Sequence, residues 1–328
     1  MACPTGCGSL WALKWRTKPS CEPLALSWRN TMQVDRLIVV GTGLMGGSLA
    51  AAAKRSGCAQ IVIGVDPDRS REAQSLGLID GAFQNLSELV DHLPPREGAQ
   101  RLLVLATPVS RYASLVPAIS ALWEDLDLTL VTEMGSTKHA LIEALSGLPD
   151  TPQASAMKLR FVPSHPLAGA ETSGPQAAIE TLFEGARILV SPLAESLPEA
   201  VANVESFWMS LGGIPTPLPL EDHDALLAVV SHLPHLISYA LAGTIAQGPL
   251  GQAALSLHGG GLRDTTRIAG SSAELWADIL LDNREELLAL MPQWQITLGG
   301  MLRALESCDR ALLVDALEPA ATWRRQIV

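Results

Sequence analysis

Short apolar runs rich in β-branched residues alternate with helical stretches through the first two thirds of the chain. Arg36-Leu-Ile-Val-Val40 reads as a strand, Gly41-Thr-Gly43-Leu-Met-Gly46-Gly47 as a turn, and the alanine-rich sequence through Lys54 as a helix. Further strands are predicted at 61–65, 101–105, 128–131, 160–164 and 187–191, with helices from about Ser70 and over 111–123, 137–145 and 198–211. Such alternation specifies parallel strands joined by right-handed crossovers. After Pro219 the strands stop, and a helical period rich in Ala and Leu takes over, with breaks expected at Gly259-Gly260-Gly261 and at Pro292. The pattern therefore predicts an α/β domain over 34–192, doubly wound on a parallel sheet, and an all-helical domain over 193–328, preceded by an extension over 1–31.

The glycine turn carries the first chemistry. Gly41 directly follows a strand, where a tight turn needs freedom in φ; Gly43 lets a pyrophosphate approach the backbone, and Gly46 allows the helix to pack closely on the strand. The helix N-terminus then offers N–H groups and a positive dipole end to an anion. Asp66, twenty residues after Gly46 at the end of the second strand, is placed to accept hydrogen bonds from ribose hydroxyls and to repel a 2′-phosphate. Together these features make a Rossmann-like site and favour NAD over NADP, with Arg69 and Arg71 keeping NADP open. Leu44 and Met45 in the turn, and Thr107 and Pro108 after the third major strand, complete the expected cofactor contacts.

Composition narrows the partners. The chain has 328 residues, 48% hydrophobic and only 17% charged, enough for two ordinary domains with real cores. A net charge of −11 argues against general nucleic-acid binding, so an anionic ligand must be held by a few placed cations. Five cysteines at irregular spacing form no disulfide framework and fit a reducing, cytoplasmic setting. Residues 1–31 carry a net charge of +3 and few acids, in the manner of a transit peptide; the plainer expectation is an extended start, with Met32 as the real beginning.

From Ala225 to Leu262 the chain has no Asp, Glu, Lys or Arg. The run is long enough to span a membrane, but it holds Ser231, His232, Pro234, His235 and Ser238, so a helix buried in a core or a subunit interface is expected instead. Pro234 removes a backbone N–H and clashes with the carbonyl of Val230, predicting a kink with a free carbonyl beside the histidines. His223 and His232 are either functional groups or satisfied core residues and caps. No HExxH or CxxC spacing occurs, and no metal is expected.

Five segments, in order, resemble the prephenate/arogenate dehydrogenase family of tyrosine biosynthesis. They are Thr132-Glu-Met-Gly135-Ser136-Thr-Lys138, Ser164-His165-Pro166-Leu-Ala-Gly169, Asp222-His223-Asp224, Ser231-His-Leu-Pro-His235, and Gly259-Gly-Gly-Leu-Arg263-Asp-Thr-Thr-Arg267 through Trp276. The likeness covers about Leu37 to Leu290, and Glu133 stands where the family often has Asp or a small residue.

The resemblance implies an oxidative decarboxylation of prephenate or arogenate, with a dimer formed through the helical domain. It makes His165 the base for the ring hydroxyl, with Ser136 hydrogen-bonding near it. His235 and Arg267 are expected to meet substrate carboxylates, His223 and Gly260 to line the same site, and Trp276 to serve as a wall or as core. Arg263 either reaches across a dimer interface or is solvated. A β-hydroxyacid dehydrogenase would join similar domains but is expected to use a lysine, and the last lysine of this chain is Lys158, ahead of the helical half. A non-catalytic NAD-binding sensor has no need of a base beside the nicotinamide.

Overall fold

The computed structural model describes residues 32–93, 98–170 and 172–327, so the reading of residues 1–31 lies outside the described residues. Eight strands form one sheet: β1 (Val34–Val40), β2 (Ala59–Val65), β3 (Gly81–Phe83), β4 (Arg101–Leu105), β5 (Leu130–Glu133), β6 (Phe161–Pro166), β7 (Arg187–Val190) and β8 (Ile214–Pro217). Their spatial order is β3-β2-β1-β4-β5-β6-β7-β8, and the first six are parallel. This is the doubly wound order, with its switch point between β1 and β4.

Alternation along each strand divides the core. Ile38, Val40, Leu103 and Leu105 face a layer containing Tyr112, Val116 and Ile119. Leu37, Val39, Leu102 and Val104 face Leu49, Ala53, Phe207 and Trp208 on the other side. Both faces are covered by helices, which is why the strands read as nearly continuous apolar runs.

Three expectations are corrected. The sheet does not end at residue 192: β7 pairs antiparallel with β6, and β8 adds a parallel edge, so the helical part begins at Leu220 rather than at residue 193. The prolines of Ile214-Pro-Thr-Pro217 are tolerated because an edge strand need not donate on its open side. Pro292 breaks nothing, since helix Arg284–Glu306 runs through it, losing one hydrogen bond among many. Gly259 precedes a helix, Gly260–Thr266, so Gly260 and Gly261 form its first turn rather than an open loop.

The uncharged run also differs from the expectation of a helix buried on all sides. Leu220–Gln247 is one helical stretch, long and apolar enough to cross a membrane by length and composition, and only 22% of its most apolar window is buried. Val229, Val230, Leu250, Leu255 and Leu257 are exposed. The core reading therefore fails within one protomer.

The helical part is tied to the sheet through the N-terminus of helix His139–Ser146. That helix has no side-chain cap of its own. Asp224 accepts from the Lys138 and His139 backbone N–H groups at 2.9 and 3.0 Å, and Asp282 accepts from Ala140 N–H at 3.1 Å. Two carboxylates at a positive helix end satisfy otherwise unpaired donors and the dipole together. Ser110 adds a bond of 2.8 Å to Asp278.

Candidate active site

At the C-terminal ends of β1 and β4 the chain forms a cradle. Gly41 has φ +94°, and a Cβ there would lie 2.7 Å from the Ala106 carbonyl oxygen; a Cβ on Gly46 would lie 1.8 Å from the Gly41 oxygen. Side chains at either position would push helix and strand apart. Helix Leu44–Ser56 begins at Gly43 with no side-chain cap, so its first-turn N–H groups, including those of Leu44 and Met45, are available to an anion by helix geometry.

Asp66 accepts from Thr42 N–H at 2.9 Å and from the N–H groups of Asp68 and Arg69 at 3.0 Å, which holds the second loop against the glycine turn. The Arg69 guanidinium lies beside Gly43, 3.3 Å from where a Cβ would stand. The hydroxyls of Thr42 and Thr107 are buried without a hydrogen-bond partner. Unmet hydroxyls at the ends of adjacent strands, facing a glycine cradle, fit a polar dinucleotide at the switch point. Pro108 follows at the exposed rim.

The end of β6 carries His165, only 7% exposed. Its Nδ1 lies 3.0 Å from Nε2 of His223, and His223 Nδ1 lies 2.7 Å from Asp224. Burial pushes His165 well below the ordinary histidine value, and the charges of Lys138, His223 and His232 act in the same direction. His223 is driven to about 2, first by burial and then by Lys138 and His232. Both rings are therefore neutral at physiological pH, the form a general base requires.

His223 is corrected here. It is fully buried and both ring nitrogens are engaged, so it supports His165 and has no nitrogen left for a substrate.

Behind His165 lies a network that the motif reading missed. Glu133 ends β5 fully buried and pairs with Lys138 Nζ at 2.8 Å. Glu133 also accepts from Tyr112 Oη at 2.9 Å, from Ser164 N–H at 3.2 Å and from Gly135 N–H. Lys138 Nζ donates to the carbonyls of Gly135 at 2.7 Å and Ser164 at 3.1 Å. The pair thus holds the loop bearing Ser136 against the strand bearing His165. Its only trace in the sequence is an acid at the end of an apolar strand with a lysine five residues later.

The uncharged helix carries the next two candidate histidines, His232 and His235. The expected kink is a widened π-helical turn over Ala228–His232, with Pro234 in the first turn of the helix that follows. The ring of His235 donates from Nδ1 to the Ser231 carbonyl at 2.9 Å, which leaves Nε2 outside that bond. Trp276 stacks on His235 with centroids 3.4 Å apart and meets His232 edge-on. His232, lowered to about 4 mainly by burial, bonds to Asn283 at 2.8 Å and is a satisfied core residue. His235 is also lowered, by burial and by the nearby positive charge of Arg267, while its bond to Ser231 opposes this.

Arg267 begins the short turn Arg267–Gly270 and is exposed, as is Gly260. Arg263 lies at the surface, 3.4 Å from Asp264. Ser136 is half-buried, and no described hydrogen bond joins it to His165, whose Nδ1 partner is His223 instead.

A dinucleotide cradle and a neutral, buried histidine at the strand ends of one sheet are the marks of a dehydrogenase. The chain belongs to the prephenate dehydrogenase family: residues 49–214 match its nucleotide-binding domain, and residues 219–319 match its dimerization domain. It is 30% identical over 290 residues to a cyclohexadienyl dehydrogenase of Zymomonas mobilis, covering 85% of this chain and 91% of the relative. It is also 30% identical to a prephenate dehydrogenase of Bacillus subtilis, covering 88% of this chain and 75% of the relative. A prephenate dehydrogenase of A. aeolicus, solved with hydroxyphenyl propionate and NAD+, superposes with a TM-score of 0.77 at 28% identity, covering 91% of this chain and 100% of that one.

Proposed function

We propose that this enzyme oxidatively decarboxylates prephenate to 4-hydroxyphenylpyruvate with NAD, in tyrosine biosynthesis. The observation that carries the reading is the neutral, buried His165 at the end of β6, on the same strand-end edge as the glycine cradle. NAD, when bound across Gly41–Gly46, Asp66 and Thr107, supplies the hydride acceptor. His165 takes the proton of the ring hydroxyl through Nε2. Hydride leaves the ring carbon, and loss of carbon dioxide then leaves an aromatic phenolate that takes the proton back, so the product's own stability drives the reaction.

The carboxylates of the substrate meet the wall of His235, Arg267 and Trp276. With its Nδ1 hydrogen given to Ser231, His235 binds a carboxylate by taking a proton on Nε2, and an anion there favours that proton. Arg267 offers a bidentate fork. Arg267→Ala is expected to raise KM for the substrate by more than tenfold, the loss of a charged hydrogen bond worth about 1.5–3 kcal/mol, with kcat less affected. Steady-state kinetics at saturating cofactor read it, and an unchanged KM would move the carboxylate site elsewhere.

NAD is favoured because the Asp66 carboxylate faces the position of a 2′-phosphate. Asp66→Ser is expected to raise kcat/KM for NADP relative to NAD by about tenfold, the scale of one charged contact. A ratio that stays put would leave selection to Arg69. Rates with prephenate and with arogenate, each with NAD and with NADP, test the whole reading; the prephenate–NAD pair should be the fastest.

The exposed apolar residues of the helical part support a homodimer through this surface, in keeping with the match to a dimerization domain. Covering Val229, Leu255 and Leu257 with a second copy removes from water the apolar area that one protomer leaves open.

A further inference from the structure

His165, His223 and Asp224 stand in a hydrogen-bonded row. Asp224 accepts from Lys138 N–H and His139 N–H, and its Oδ1 faces His223 Nδ1 at 2.7 Å. An acceptor-only carboxylate requires His223 to carry its hydrogen on Nδ1, and a neutral imidazole then has a bare lone pair on Nε2. That lone pair lies 3.0 Å from His165 Nδ1, which must supply the hydrogen. His165 Nε2 is left without one.

We propose that His223 and Asp224 are positioning residues that hold His165 in the Nδ1–H tautomer, so that Nε2 is the nitrogen presented to the substrate hydroxyl. The proposal rests on His165 being the base. It assigns to the Asp222-His223-Asp224 segment a role one layer behind the chemistry, in place of substrate contact.

The surroundings keep the row in register. Asp224 cannot swing away, because its oxygens also cap helix His139–Ser146. Asn283 donates to the Asp224 backbone carbonyl at 2.8 Å and bonds to His232, which fixes the turn carrying His223. Among the described residues, Lys138 and His232 act on the two rings by charge, and Asp224 by its hydrogen bond to His223. Of these, Asp224 is the acceptor that orders the hydrogens.

Asp224→Asn provides a sharp test. The amide oxygen is claimed by the Lys138 and His139 N–H groups, so the NH2 group must face His223 and donate to its Nδ1. His223 then carries its hydrogen on Nε2, His165 Nδ1 becomes an acceptor, and His165 Nε2 is blocked by a proton. Carboxylate-to-amide exchange that inverts a catalytic histidine costs about 10⁴ in kcat in a serine protease. A loss of a thousandfold or more is expected here on that precedent, roughly, with KM for the substrate little changed.

The experiment is long-range proton–nitrogen NMR of the full chain labelled with 15N-histidine, His165 being assigned by its absence in His165→Asn. The wild type should show hydrogen on Nδ1 of His165, and Asp224→Asn should show it on Nε2. Hydrogen on Nε2 in the wild type, or an unchanged tautomer in Asp224→Asn, overturns the proposal. If Asp224→Asn does not fold, the wild-type spectrum still decides, together with two other variants. His223→Gln keeps an acceptor near the Nε2 position and should retain more of kcat than His223→Leu, at similar KM; equal loss overturns the proposal. Because the spectrum reports the tautomer without turnover, it is separate from failure of His165 as the base, which His165→Asn kinetics would reveal.

Discussion

His165→Asn is expected to lower kcat by about two to four powers of ten, the usual contribution of a positioned general base. Affinity for NAD should change little, since the cradle of Gly41, Gly43, Gly46 and Asp66 lies on other strands and loops. The pH profile of the wild type gives a second reading of the same residue. The protonated ring cannot accept the substrate proton, so activity falls as pH drops through the His165 pKa. Burial and Lys138 hold that value well below the ordinary 6.5, so the acid limb of kcat/KM should lie below pH 6.5 and disappear in His165→Asn. Unchanged kcat in the variant would exclude His165 as the base.

Lys138→Met is expected to destabilise the fold by about 3–5 kcal/mol, because it leaves Glu133 buried without its cation. Burial already pushes the Glu133 carboxyl up, and Lys138 is the foremost group holding it down. Without the lysine, Glu133 must bury a charge or take a proton. The sign then follows: a carboxyl raised in the folded state penalises folding most at higher pH, so the deficit should narrow as the pH falls toward the ordinary carboxylate range. Denaturant midpoints at pH 7 and pH 5 test both statements. The double variant Glu133→Gln with Lys138→Met should recover much of the loss, since it removes the buried charge altogether. A single variant as stable as the wild type would show that the ion pair holds nothing in place.

Five of the six parallel strands are legible because each contains an apolar run such as Leu37–Val40 or Leu102–Leu105. β8 is not legible, since two prolines in four residues read as loop unless the strand is known to lie on an edge. Nor is β3, three residues with no periodicity to read. Pro292 misleads in the opposite direction: a proline signals a break, and a 23-residue helix can absorb one missing bond.

In the candidate site, the places of the glycine turn, His165 and His235 are legible, because each sits in a short motif next to a strand or a proline. Relations across the chain are not. His165 and His223 are 58 positions apart, and only folding shows that the second ring faces the first rather than the substrate. Glu133 and Lys138 are close in sequence, yet no helix or strand period joins them, because they meet across the short loop between β5 and the helix that starts at His139. Long-range pairings of this kind are set by where strands end, and a sequence reading locates strand ends only to within a few residues. The strand predicted at 128–131 in fact runs from Leu130 to Glu133, and that shift carries Glu133 into the site.

The most direct measurement is the stoichiometry of a single reaction, the full-length enzyme with prephenate and NAD, following reduced nicotinamide by absorbance and released carbon dioxide together. The enzyme described here forms one reduced nicotinamide for each carbon dioxide, with 4-hydroxyphenylpyruvate as the aromatic product. Failure to form reduced nicotinamide from prephenate, or reduction without release of carbon dioxide, would contradict it.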